Sequence, residues 1–156
     1  MNDEQIKFKV GLSGTYWDKK PQYRICVGGK ECLTGEITAP SGQVEYVEFT
    51  AQLDEGDSAL EIFLTNKELS DTVKDDPENP NFTIVKDLLL NIEHIEVDDI
   101  DLGHLRFSKS YFKPLKKQLY QGAIVDRIEK CVNLGFNGAY TLEFSSPFYI
   151  WLLENL

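Results

Sequence analysis

The chain has 156 residues, 42% of them apolar and 27% charged, which is one ordinary globular domain's worth of sequence rather than a disordered segment. Sixteen Lys and Arg against 26 Asp and Glu leave a net charge of −10, which disfavours non-specific partners that are themselves polyanions, nucleic acid and anionic lipid alike. The charged, alternating start MNDEQIKFKV is neither a signal peptide nor a span, and the longest apolar run, near Tyr149 to Leu153, is too short to cross a bilayer. A soluble product of a cytoplasm is expected.

Strand signals recur through the first hundred positions. Ile6, Phe8 and Val10 alternate with polar residues ahead of the loop LSGTYWDKKP. Tyr23, Ile25 and Val27 alternate next, turn at Gly28-Gly29, and return as ECLTGEIT. After APSGQ come Val44, Tyr46, Val47 and Phe49, then the turn LDEGDS and Leu60, Ile62 and Leu64. A polar loop of some twenty residues precedes Leu88 to Leu90, Ile92, Ile95 and Val97. This spacing predicts a mostly β fold, an antiparallel β-sandwich or jelly roll with short C-terminal helical elements.

Direction can be counted along this pattern. If every connection reverses the chain, the loops at 11–20, 38–43 and 66–87 emerge at one end, and the turns at 28–29 and 53–58 at the other. The first end then collects Tyr16, Trp17, Asp18, Asn66, Asp71, Asp75, Asp76 and Asp87. Long loops on a rigid sheet are where binding residues tend to sit.

The last third reads differently. Residues 104–130 hold seven Lys and Arg against two acids, whereas residues 66–103 hold eleven acids against three Lys. Ile124, Ile128 and Val132 lie at i, i+4 and i+8, which predicts a short helix from Ala123 to Asn133. GAYTLEF reads as a returning strand. Ser146 as N-cap and Pro147 at the first helical position open a terminal apolar helix that packs on the sandwich or docks on a partner. The division expected is a sandwich over 1–103 and an extension over 104–156 packed against it.

The chemistry is non-catalytic on this reading. GxSxG, HExxH, a phosphate-binding glycine loop and GxGxxG are all missing, and His94 and His104 read as structural. Cys26, Cys32 and Cys131 form no CxxC pair, and the Gly28-Gly29 turn puts Cys26 and Cys32 on opposite faces of their ribbon, so all three are expected reduced. Tyr16 and Trp17 in a loop either cap the core or stack on a ligand, and sugar rings present apolar C–H faces to such rings. The loop Asn66 to Asp87 either supplies oxygens to Ca2+ or is a solvated acidic loop.

The order PQYRICVGG, LEIFLTN, long loop and DLLLNIEHIEV resembles the calcium-dependent xylan-binding carbohydrate modules. The resemblance implies a jelly roll in which calcium at one end chelates vicinal sugar hydroxyls. Leu64-Thr65-Asn66 matches the opening of that family's motif, Lys67 stands where its first metal-binding Asp is expected, and Asp87 matches the second. Leu90, Ile92 and Ile95 match its core positions. The metal set implied is Asp87 with Asp71, Asp75 or Asp76 in place of the missing acid. With the loop residues read above, the ligand-binding set expected is Tyr16, Trp17, Asp18, Asn66 and Asp87.

TYWDKKPQY, GQVEYVEFTAQLDEGD, VKDLLLNIEHIEVDDIDLG and SPFYIWLLENL resemble, over nearly the whole chain, small accessory proteins of tailed phages of marine cyanobacteria. That resemblance implies a virion-associated binding module whose partner is host polysaccharide. The alternative is a virion structural or decoration protein bound to other virion proteins, anchored by Lys113, Lys116, Lys117 and the 147–155 helix.

Overall fold

Burial alternates with period two over the first half of the first strand and becomes continuous from Val10 to Gly14. In the computed structural model, which describes residues 3–156, β1 (Glu4–Thr15) buries Ile6, Phe8, Val10 and Leu12 and turns Lys7 and Lys9 toward solvent. The strand continues through Leu12 to Thr15, so the expected loop begins only at Tyr16. β2 (Gln22–Val27) and β3 (Lys30–Glu36) follow, joined by the predicted two-residue turn, with Gly28 at φ +61° and Gly29 at φ +80°. Only left-handed backbone closes that turn, which is why two glycines stand there. Cys26 pairs with Glu31 as counted, and a bulge sets Cys32 out of register; all three cysteines are free.

β4 (Glu45–Leu53) and β5 (Gly56–Leu64) follow in sequence but lie in different sheets, so the turn between them crosses from one sheet to the other. The long loop is not featureless. It carries a capped 3-10 turn at Leu69–Asp71 and a small hairpin of β6 (Val73–Lys74) and β7 (Ile84–Lys86). β8 (Leu89–Val97) returns through the core, turns at Asp98 and Asp99, and pairs with β9 (Ile100–Asp101). A short helix, α1 (Leu105–Ser108), leads into β10 (Ser110–Pro114).

The helix expected over 123–133 is not formed. That stretch holds β12 (Ala123–Val125), which pairs with β11 (Gln118–Tyr120), and β13 (Ile128–Glu129), which pairs with β10. Two local features override the apolar spacing: Gln121 and Gly122 take positive φ and close a hairpin, and Lys130 at φ +52° would break any helix here. Ile124, the first residue of the expected apolar stripe, is exposed.

β14 (Asn133–Leu134), β15 (Gly138–Ser146) and α2 (Phe148–Asn155) complete the chain. Among the described residues one antiparallel sheet runs β14-β8-β1-β4, with β9 on β8, and the other β13-β10-β15-β5-β2-β3. Phe8, Val10, Leu12, Ile92 and Ile95 from the first meet Ile25, Ile62, Leu64, Phe112 and Tyr140 from the second in one buried core. Each such large side chain contributes about 1.5–3 kcal/mol of burial. The boundary expected at residue 103 runs through both sheets: β14 completes the first and β10, β13 and β15 the second. Among the described residues no helix is long and apolar enough to cross a membrane.

The terminal helix packs on the sandwich through Phe148 and Leu152. Ser146 is not its N-cap; Pro147 holds that position, without a side-chain bond. The capping group comes instead from β1. Glu4 Oε1 accepts both the Ser146 hydroxyl and the Phe148 N–H at 2.7 Å, which puts a carboxylate on a helix start.

Candidate functional site

The three loops counted to one end do meet there. Gly42 N–H donates to the Gly14 carbonyl, Tyr16 N–H to Ser41 Oγ, and the Trp17 indole N–H to the Asp71 carbonyl at 3.0 Å. These bonds join the loop after β1 to the loops after β3 and β5.

Tyr16 and Trp17 are held differently. Tyr16 packs against the core and donates its hydroxyl to the Ala39 carbonyl at 2.8 Å, so it closes the end of the sandwich. Trp17 is 44% exposed, with the Lys86 ammonium 4.8 Å from its ring centroid. Pinned by one edge, its ring stays at the surface. Phe82 at the hairpin tip is also partly exposed, with Lys74 4.2 Å from its ring, and Leu69 and Val85 add open apolar surface. Neither Phe82 nor these lysines stood out in the sequence: the turn residues of DDPENPN are there, but β6 and β7, at two and three residues, are too short to show a strand alternation beside them.

The polar residues expected here are already engaged, apart from Asp18, which is exposed. Asn66 accepts the Gln22 N–H at 2.8 Å and donates to the Lys20 carbonyl at 3.0 Å, a clamp across the β1–β2 loop. Asp71 is buried, accepts the Glu68 N–H at 2.7 Å, and lies 2.9 Å from Lys19 Nζ. Burial pushes its carboxyl up, but the Glu68 N–H and the Lys19 ammonium outweigh that and hold it below the usual range. Lys19 is raised in turn, first by its hydrogen bond to Asp71 and then by Glu68. Asp75 Oδ1 takes the N–H groups of Asp76 and Thr83, and Asp76 Oδ1 takes that of Glu78, so both serve the hairpin's own backbone.

Asp87 faces inward. Its Oδ1 accepts the Lys67 ammonium at 2.7 Å, the Thr72 hydroxyl at 2.7 Å and the Leu88 N–H at 2.8 Å. Lys67 Nζ also reaches the Gly135 carbonyl at 2.7 Å, and its main chain is locked by a reciprocal pair of bonds to the Asn137 side chain. The four carboxylates Asp71, Asp75, Asp76 and Asp87 therefore each serve a separate local partner. Among the described residues no three His, Cys, Asp or Glu converge as metal ligands.

A groove of about 680 Å³ opens at the other end, lined by Gly28, Asp57, Ser58, Glu143, Phe144 and Trp151 among others. Its indole is committed elsewhere: the Trp151 ring packs 5.5 Å from Phe148 and 6.3 Å from Phe144. Among the described residues Trp17 has no such ring neighbours, and the loop end is the better platform for a ligand.

No known family's sequence pattern matches the chain, and no curated protein matches it. Its shape does match solved structures. One, described as vCBM60 in complex with galactobiose, superposes with a TM-score of 0.56 at 10% identity, over 87% of this chain and 96% of that one. A second, a selenomethionine form of vCBM60, gives 0.52 at 13% identity, over 88% and 89%. Its description says that circular permutation provides an evolutionary link between two families of calcium-dependent carbohydrate-binding modules. The chain thus has a carbohydrate-binding-module-like β-sandwich. At these identities the likeness is one of fold.

At Asp87, where the sequence resemblance puts a metal ligand, the described residues do not fit the calcium that such modules use. Calcium takes six to eight oxygens, carboxylates foremost. At Asp87 the structure supplies one carboxylate whose inward oxygen is saturated, and beside it a lysine.

Proposed function

We propose that this protein is a non-catalytic saccharide-binding module that contacts its ligand with the loop end of the sandwich, through Trp17. The observation that carries this reading is the Trp17 ring itself, exposed at the surface yet fixed by its N–H to the Asp71 carbonyl. A fixed ring loses little entropy on binding, and its face suits the C–H side of a sugar. Asp18 beside it accepts hydroxyls, and Phe82 extends the platform. The fold likeness to carbohydrate-binding modules supports the same reading. The resemblance to phage accessory proteins supports a place on a virion, with host-surface polysaccharide as the ligand.

The test is retention on immobilised or gel-embedded polysaccharides, with Trp17→Ala beside the wild type. Binding by the wild type and none by the variant, both folded, supports the reading. Equal retention of the two refutes the assignment to Trp17.

One observation favours the decoration-protein alternative. Tyr149, Ile150, Leu153 and Leu156 on α2, and Leu119 and Ile124 on the β11–β12 hairpin, are exposed. Apolar surface of this kind suits another virion protein. A truncation after residue 103 would remove strands from both sheets, so point substitutions are the means of separating the two readings. Leu153→Glu with Ile150→Glu, assayed for virion incorporation and for sugar retention together, separates the two readings.

A further inference from the structure

We infer that the Lys67 ammonium is this protein's own tethered cation, seated between Asp87 and the Gly135 carbonyl, and that it organises the loop end without a divalent metal. The inference does not rest on the saccharide reading; it concerns what holds this end together.

Lysine's ammonium offers three N–H donors and no acceptor. Two are spent at 2.7 Å, on Asp87 Oδ1 and on the Gly135 carbonyl. The same Asp87 Oδ1 takes the Thr72 hydroxyl and the Leu88 N–H, so this oxygen already accepts three donor hydrogens, and a metal bound to it would have to displace one of them. A divalent ion here would have to eject the ammonium, and that ammonium is well enclosed: the Lys67 side chain is 11% exposed and Asp87 19%. The other acids of the long loop are committed to partners of their own. Asp71 is held by Lys19 and the Glu68 N–H, and Asp75 and Asp76 are turned to the hairpin backbone.

The arrangement also does what a bound metal does, which is to join distant segments. Through Lys67 the start of the long loop meets Asp87 at its end, 20 residues on, and Gly135, 68 residues on. The reciprocal bonds between the Lys67 main chain and Asn137 fix the lysine's own position, so the side chain enters from a rigid base. A partly enclosed ion pair of this kind is screened far less than a surface pair, and losing one partner leaves the other charge stranded.

The experiment uses the full chain and no sugar, so its failure is distinct from a failure of saccharide binding. Thermal melts are run in calcium chloride and in chelator, and lysine acylation is followed residue by residue in both. The wild-type midpoint is expected to be the same in the two buffers, with Lys67 acylated far more slowly than exposed Lys20 and Lys30 in each. Lys67→Gln is expected to lower the midpoint by at least about 3 °C in chelator and in calcium alike. Lys67→Arg, which keeps a cation, tests the same point if the glutamine variant does not fold, and is expected to fall less. A calcium-dependent rise in the wild-type midpoint overturns the inference, because it means a metal is held by the folded state. So does calcium-accelerated acylation of Lys67, or a Lys67→Gln midpoint equal to that of the wild type.

Discussion

The indole N–H of Trp17 and the main-chain carbonyl of Asp71 lie 3.0 Å apart, and this bond sets the candidate binding ring on the turn that Asp71 itself builds. The Asp71 carboxylate closes that turn by accepting the Glu68 N–H and pairing with Lys19. One residue thus supports the ring through its backbone and the loop through its side chain.

Trp17→Ala removes a half-exposed ring and one hydrogen bond, a cost of about 1 kcal/mol, or about 2–4 °C in midpoint. Retention on polysaccharide is expected to vanish while the melt stays cooperative. A variant that binds as the wild type does, or one that no longer folds, removes Trp17 from the site.

Asp71 carries an acid limb of stability. Its carboxyl is held below the usual range in the folded state, so the stabilisation it gives is present above the unfolded value, about 3.9, and is lost as pH falls through the lower folded value. Urea midpoints measured from pH 6 downward, with steps of about one unit, should fall steadily in the wild type and less steeply in Asp71→Asn. Parallel curves for the two proteins would remove Asp71 from that limb.

Glu4 Oε1 accepts the Ser146 hydroxyl and the Phe148 N–H, joining the start of β1 to the start of α2. Glu4→Ala should cost about 1–2 kcal/mol, and Glu4→Gln less, since an amide oxygen still accepts. Denaturant unfolding gives both numbers. If the two variants match the wild type, the helix is held by Phe148 and Leu152 alone.

Gly138 has no room for a side chain. A Cβ there would run into the Lys113 carbonyl oxygen and sit 2.7 Å from Pro114 Cα, both backbone atoms of the paired strand. Gly138→Ala is expected to destabilise by about 2–3 kcal/mol. Gly29→Ala sits in open space and tests only the positive φ, so it should cost less.

The strands of the first hundred residues are legible because their alternation is strict: Ile6, Phe8 and Val10, or Leu60, Ile62 and Leu64, stand two apart and are buried together. The Gly28-Gly29 turn and the gathering of three loops at one end follow from that pattern by direction alone. The stretch 123–133 misleads because Ile124, Ile128 and Val132 happen to fall at helical spacing, while Gln121, Gly122 and Lys130 decide the backbone. The place of β15 is invisible locally, since GAYTLEF reads as a strand without naming its neighbours. At the site, Trp17 is legible as a loop aromatic. The partner of Lys67 is not, because Gly135 and Asn137 reach it only across the folded chain.

The slot that β15 fills has a consequence for how the protein is made. β5 and β10 are both ready before β15 leaves the ribosome, yet each is hydrogen-bonded to β15 rather than to the other. Until Gly138–Ser146 arrives, both strands carry open edges, which are the surfaces that pair wrongly with other chains. The second sheet is therefore completed only after its last strand is synthesised. Its folding belongs with the slow class governed by distant pairings, and crowded synthesis of many copies at once is where it is most exposed to aggregation.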